Sequence, residues 1–281
     1  MGFHEIFDRY TKPLEPVETG LSPSGTPRFP INALLFDIYG TLFISASGDI
    51  GLTADSPQIR KALSLLAAEH DLAISAQTLL TAHRCAIEKE HRRLESLGNN
   101  SPEVQIDQIW QRILGIKDIH QVRKFALSFE LIVNPVFPMP HLIEMLHQIT
   151  KTDLKTGIIS NAQFYTPLLF QYFCGNKPEY IGFDPNLLFY SCKLSHAKPS
   201  PLMFEAAEKQ LSTYGIHPKN TLFIGNDMLN DIRPAYAHNF QTALFAGDKR
   251  SLRLREDDPT CRDIQPDLVI TDLLQLAAMI A

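Results

Sequence analysis

Apolar runs and polar breaks divide the chain into elements of two kinds. The run 33–36 is apolar without interruption, ends in Asp37 and meets a turn signal at Gly40-Thr41. A short continuous apolar run closed by a glycine turn predicts a buried parallel strand over 32–37. From there to about residue 133 the spacing is helical throughout, with segments at 59–70, 76–97, 103–114 and 118–131. Asp55-Ser56-Pro57 starts the first of these and Ser101-Pro102 opens the third. Ahead of it, 45–53 reads as a polar, glycine-containing loop. Beyond residue 140 the pattern alternates. Strands are predicted at 154–160, 187–190, 221–225, 242–245 and 268–270. Helices are predicted at 141–150, 166–173, from a Ser200-Pro201 cap to 214, at 229–238 and from Asp272 onward. Strands alternating with helices specify an α/β, Rossmann-like, doubly wound parallel sheet. The uninterrupted helical stretch is an all-helical cap subdomain inserted after the first strand.

The expected organisation is an N-terminal arm at 1–30, a sheet domain built from 31–44 and 138–281, and a cap at 45–137. Within the arm, Ile6, Phe7 and Tyr10 share one face of a short helix, and 12–30 is proline-rich and reads as irregular. The chain has 281 residues, 44% of them hydrophobic and 20% charged, ample for a sizeable core. A net charge of −5 and the lack of a basic run give no sign of a nucleic-acid or membrane-surface partner. No apolar run suffices to span a bilayer, and the first 16 residues lack a secretory core, so a cytoplasmic location is expected. Cys85, Cys174, Cys192 and Cys261 follow no metal-ligand spacing and read as buried thiols.

Three strands end in polar residues of a matched kind. The first ends at Asp37, the second at Ser160-Asn161, and 221–225 at Asn226-Asp227, with Asp231 four residues on. Lys198-Pro199 precedes a helix. Open α/β sheets place ligands beyond the carboxyl ends of their strands, so these side chains converge on one site. A carboxylate there is a candidate nucleophile. Taken singly, each residue also has an ordinary explanation: Asp37 caps a turn, Ser160 caps a helix, Lys198 is a surface charge, and Asp231 is a first-turn acid.

Together, Asp37 to Thr41 followed by Leu42, then Ser160, Lys198-Pro199 and Gly225-Asn226-Asp227 with Asp231, resemble the four motifs of the haloacid dehalogenase (HAD) superfamily. The helical insert sits where that superfamily places its cap. The resemblance implies a hydrolase in which Asp37 attacks the substrate and forms a covalent aspartyl intermediate. It implies that Ser160, with Asn161 beside it, contacts an oxygen of the transferred group, and that Lys198 neutralises charge. For a phosphatase of this kind it implies Mg²⁺ held by Asp37, the Tyr39 carbonyl and Asp227, with Thr41 and Asp231 in support. Such a site suits phosphoryl transfer, which needs positioning and charge neutralisation.

One position departs from the phosphatase pattern. Most phosphatases of the superfamily carry a second Asp two residues after the nucleophile, where this chain has Tyr39. A phenol with a pKa of about 10 is a poor base at neutral pH. Tyr at this position is common in the 2-haloacid dehalogenase branch, whose halide leaves unprotonated and without a metal. Asp227 and Asp231 point instead to a metal and a phosphate, and the phosphonatase branch combines Mg²⁺ with the loss of the second Asp. The first expectation is therefore Mg²⁺-dependent hydrolysis of a small phosphorylated, anionic substrate. The alternatives are a metal-independent 2-haloacid dehalogenase and a non-catalytic anion-binding protein. In the cap, Leu80, Arg84, Ile87, His91 and Leu94 share a helical face. Arg84 and His91 are candidates to meet an anionic substrate, with His91 also a candidate acid–base group, while a cap ion pair and a core histidine are the plainer readings. Trp110 reads as a core anchor.

Overall fold

The computed structural model describes residues 2–47 and 56–280. The elements run in the order α1 (Phe3–Tyr10), β1 (Ser24–Gly25), β2 (Ala33–Phe36), β3 (Phe43–Ser45), α2 (Pro57–Glu69), α3 (Ala76–Ser96), α4 (Ile106–Leu114), α5 (Ile119–Val133), β4 (Val136–Pro138), α6 (Leu142–Ile149) and β5 (Lys155–Ser160). They continue with α7 (Thr166–Phe173), β6 (Leu188–Tyr190), α8 (Ser191–Leu194), α9 (Leu202–Thr213), β7 (Thr221–Gly225), α10 (Arg233–Ala237), β8 (Gln241–Phe245), β9 (Leu268–Ile270) and α11 (Leu274–Ile280). Most of the polar loop expected at 45–53, and Asp55, lie outside the described residues.

The sheet has the order β1-β9-β8-β7-β2-β5-β6, parallel except for β1. Its middle strand, β2, is buried on both faces, so Ala33-Leu34-Leu35-Phe36 must be apolar throughout. Leu34 and Phe36 join one core cluster with α6 and α7, while Ala33 and Leu35 meet Met203, Phe204, Ala207 and Leu211 of α9 on the other face. Phe36 stands level with Ile158 of β5 and Ile224 of β7. One more ladder bond, Asp37 N to the Ile224 carbonyl at 2.8 Å, carries the register to the candidate nucleophile. The carboxyl ends of three strands therefore form one edge.

The chain leaves that edge through β3 and returns through β4, and the two pair as an antiparallel ribbon. Between them lie the cap helices α2 to α5, around Trp110, Phe125 and Phe129. The third cap helix does not open at Ser101-Pro102 as its spacing predicts. Residues 99–103 run extended against the core: Glu103 N and Asn99 Nδ2 donate to the Ser195 carbonyl, and Ala197 N donates to the Ser101 carbonyl. Those cross-bonds take the groups a helical turn would need, and α4 starts at Ile106. Ser200-Pro201 does open α9, with Ser200 Oγ accepting from Leu202 N, the first N–H of the helix, at 3.4 Å. The segment after Asp227 makes one π-helical turn, Met228–Ile232, before α10. Cys85 is exposed, contrary to the expected burial. No described helix is long and apolar enough to cross a membrane.

The arm expected to be irregular adds β1 to the sheet edge, paired with β9. Its helix α1 lies where cap and core meet. Phe7 is 1% exposed, stacks on Tyr172 of α7 at 4.7 Å and joins the core cluster that holds Phe125 and Phe129 of α5. Asp8 accepts from the Tyr172 hydroxyl at 2.9 Å, and Arg9 Nη1 donates to Glu69 of α2 at 2.8 Å. Because Phe7 fills a closed space between the two units, Phe7→Ala is expected to destabilise the protein by about 3–5 kcal/mol. Chemical denaturation checks this, and a loss below about 1 kcal/mol would mean that α1 does not dock there in solution.

Candidate active site

The site is assembled at the shared edge of β2, β5 and β7. Lys198 reaches it from the segment before α9, and its side chain is 3% exposed. Its Nζ donates to Asp37 Oδ1 at 2.6 Å, to Asp231 Oδ1 at 2.5 Å and to the Ile159 carbonyl at 3.2 Å. Burial works against the ammonium, but Asp231 and Asp37 outweigh it and hold the lysine above its ordinary pKa. Asn161 fixes the lysine backbone from both sides, accepting from Lys198 N at 2.6 Å and donating to its carbonyl at 3.2 Å. Asp231 folds back under β7, where a Cβ on residue 225 would stand 2.4 Å from its Cγ, so only glycine fits there. Gly40, with φ +85°, lets the loop after the nucleophile pass Asn226 and Ser251. Asn226 ties that loop down by accepting from Thr41 Oγ1 at 3.1 Å.

The structure thus brings Asp37, Lys198 and Asp231 into direct contact, with Asn161 behind the lysine. Ser160 is fully buried at the end of β5, its hydroxyl 3.4 Å from the Asn161 carbonyl. Tyr39 donates to or accepts from Thr166 Oγ1 at 2.9 Å, and burial pushes its phenol pKa further up. It stays protonated and cannot serve as a base.

Asp227 departs most from expectation. It caps the turn that follows, accepting from Leu229 N at 2.8 Å and Asn230 N at 3.3 Å, with Asn230 Nδ2 at 2.9 Å. Arg255 then closes on it with both prongs, Nε to Oδ1 at 3.0 Å and Nη2 to Oδ2 at 2.6 Å. Its two oxygens are already saturated with N–H donors, one side being a guanidinium. Mg²⁺ takes oxygen ligands at about 2.0–2.1 Å in octahedral array, usually one or two carboxylates together with water. The donor set does not fit the expected Mg²⁺ at Asp37, Tyr39 and Asp227.

A cavity of about 290 Å³ opens over Asp37 and Lys198. From the cap it is lined by His83, Ile87 and His91 of α3 and by Glu130 of α5. His91 therefore reaches the cavity, but Arg84 does not. Its side chain is 69% exposed and 3.9 Å from Glu88. A helical face passing through Leu80 continues at either the third or the fourth residue, and here it continues at His83. That imidazole stacks on Trp110 at 4.8 Å, and burial pushes its pKa down to about 4. Sequence reasoning missed His83, Glu130 and Arg255. His83 was readable as the other choice of spacing from Leu80. Arg255 lies in a charged irregular segment with no motif to mark it.

Residues 31–239 match the haloacid dehalogenase-like hydrolase family, and the chain belongs to it. No curated protein matches the chain. Among solved structures it is similar to a 2-haloacid dehalogenase from Pseudomonas syringae pv. Tomato DC3000, at 19% identity over 89% of this chain and 98% of that one, TM-score 0.54. It is similar to a HAD phosphatase from Thermococcus onnurineus at 16% identity, again over 89% and 98%, TM-score 0.54. A defluorinating L-2-haloacid dehalogenase matches at 20% identity over 96% of this chain and 99% of that one, TM-score 0.53. At these identities the likeness is one of fold, shared by dehalogenases and phosphatases alike.

The neutral, half-buried His83 has a consequence for stability. Its folded pKa lies below the unfolded value, so between about pH 6.5 and 4 the unfolded chain binds the extra proton and stability falls with acidification. The loss attributable to His83 approaches about 3 kcal/mol below pH 4. His83→Phe is expected to flatten this part of the stability–pH curve. Parallel curves for the two proteins would show that the imidazole is solvated.

Proposed function

We propose that this HAD-family hydrolase works without a metal, cleaving small 2-halogenated carboxylic acids through an ester on Asp37. The observation that carries the reading is the Asp227 carboxylate, closed by Arg255 where a Mg²⁺ would need it. Tyr39 supports it. A phosphate ester needs its leaving alkoxide protonated, help commonly worth about 10²–10⁴-fold, and a phenol tied to Thr166 is a poor donor. Halide needs no proton. The fold leaves the choice open, because it serves both reactions.

Asp37 presents to the cavity the oxygen that Lys198 does not hold. That oxygen bonds to the carbon bearing the halogen, and halide departs with the bonding pair. Lys198 fixes the attacking carboxylate through Oδ1. Arg253 and Arg255 stand on the cavity wall and make it favourable to an anionic substrate. Water then attacks Cγ of the Asp37 ester, releasing a 2-hydroxy acid and one proton.

The test is halide release from 2-chloropropionate. Release is expected in EDTA, without stimulation by Mg²⁺, and to fall at least about 10³-fold in Asp37→Asn. With enzyme in excess in ¹⁸O-water, label should enter Asp37. Mg²⁺-stimulated phosphate release from phosphate esters, with no halide released, would overturn the proposal in favour of a phosphatase.

A further inference from the structure

We propose that this site prefers 2-halogenated acids whose side chain carries an aryl ring, and that Ile87, Val104 and Ile106 of the cap receive that ring. This rests on the haloacid reading above and names the substrates within it.

The cavity over Asp37 has two unlike sides. The core side carries charge, with Asp37, Lys198, Arg253 and Arg255 on the wall. The cap side carries hydrocarbon. Val104 and Ile106 line it and are otherwise buried in the main core cluster, and Ile87 packs half-buried against that cluster. His83 adds a flat face: its half-buried ring lies 13° from parallel with Trp110. With its pKa pushed down to about 4, that ring is neutral at pH 7.

The core holds this wall, and in being held the wall loses its polar groups. Gln163 Nε2 donates to the Val104 carbonyl and to Glu103 Oε1, both at 3.0 Å. Gln163 Oε1 accepts from Ile106 N at 3.1 Å. Glu103 Oε1 also accepts from Val104 N at 2.9 Å, and its Oε2 accepts from Ser191 Oγ at 2.5 Å. Glu130 is likewise engaged, by Asn134 Nδ2 at 3.2 Å and by the Tyr165 hydroxyl. Backbone groups already paired offer nothing further to a ligand, so the side chains of Val104 and Ile106 set the character of this surface.

The space exceeds what the smallest acids fill. An apolar cavity of about 150 Å³ takes one benzene. By that measure the cavity of about 290 Å³ takes nearly twice as many atoms. 2-Chloropropionate has no more non-hydrogen atoms than benzene and leaves roughly half of the space to water. A water held there needs about two to four polar partners, and the wall at Val104 and Ile106 has spent its own. An apolar group that displaces such water gains affinity. With the acid's carboxylate on the charged side and its halogenated carbon at Asp37, the remaining substituent lies toward the cap. A phenyl ring on a one-carbon link matches the leftover volume, and its flat face suits His83 as well as the aliphatic wall.

The test has a binding arm and a turnover arm. In calorimetry, which needs no reaction, 3-phenylpropionate is expected to bind at least about 10²-fold more tightly than propionate. Halide release should favour 2-chloro-3-phenylpropionate over 2-chloropropionate by at least about 10²-fold in kcat/KM, chiefly through KM. Ile87→Trp, which fills the space from the cap, should cut both ratios at least about tenfold. Ratios near one in the wild-type protein overturn the inference whether or not the variant folds, and a folded variant that keeps both ratios removes Ile87 from the ring's site. A binding preference with no halide released from either acid overturns the haloacid reading instead and leaves the aryl pocket standing.

Discussion

The site depends on one buried ammonium. Lys198 lies between Asp37 and Asp231 with almost no contact with solvent. Burying three charges costs several kcal/mol per ion before their mutual attraction returns it, so the surrounding structure has to hold the geometry closely. Asn161 grips the lysine backbone from the end of β5. Gly225 makes room for Asp231 under β7. The level register of β2, β5 and β7 puts all three groups at one height. Without the lysine, two carboxylates would face each other with no cation between them.

A second cation closes the other side of the site, and it comes from an unexpected direction. Arg255 belongs to a segment docked beside the β7 edge, where Arg253 N donates to the Asn226 carbonyl and Met228 N to the Arg253 carbonyl. That segment is steadied by the N-terminal arm. Val17 N donates to Asp248 Oδ1, Lys249 N donates to the Val17 carbonyl, and Arg250 reaches the Glu15 carbonyl. The family match begins only at residue 31. Residues outside the common fold therefore hold the loop that decides how Asp227 is used.

Much of this was legible in the sequence, for identifiable reasons. The strands at 33–36, 155–160 and 221–225 are buried on both faces, so continuous apolar runs announce them. Asp37 and Asp231 follow from position at a strand end. The strands β1, β3 and β4 were missed because two or three residues carry no periodicity. Ser101-Pro102 misled because cross-chain hydrogen bonding overrode a local capping signal. Asp227 misled because its residue type suits both a metal ligand and a turn cap, and only its neighbours in space decide between them. Arg84 and His83 sit next to each other on α3, and helical spacing alone does not choose which one faces inward.

The extended seam between residues 99–103 and 195–197 also sets a timescale. Cap and core are stitched there by backbone hydrogen bonds and, on another side, bridged by α1. Pro102, Glu103 and Ala197 of this seam line the cavity over Asp37, so opening the seam would widen the way to it. Breaking the seam is a collective motion of the kind that takes microseconds to milliseconds. Against a slow chemical step such gating goes unnoticed. With a reactive substrate, turnover would follow the viscosity of the medium, because the opening of the seam and not the making of a bond would then be the slowest event.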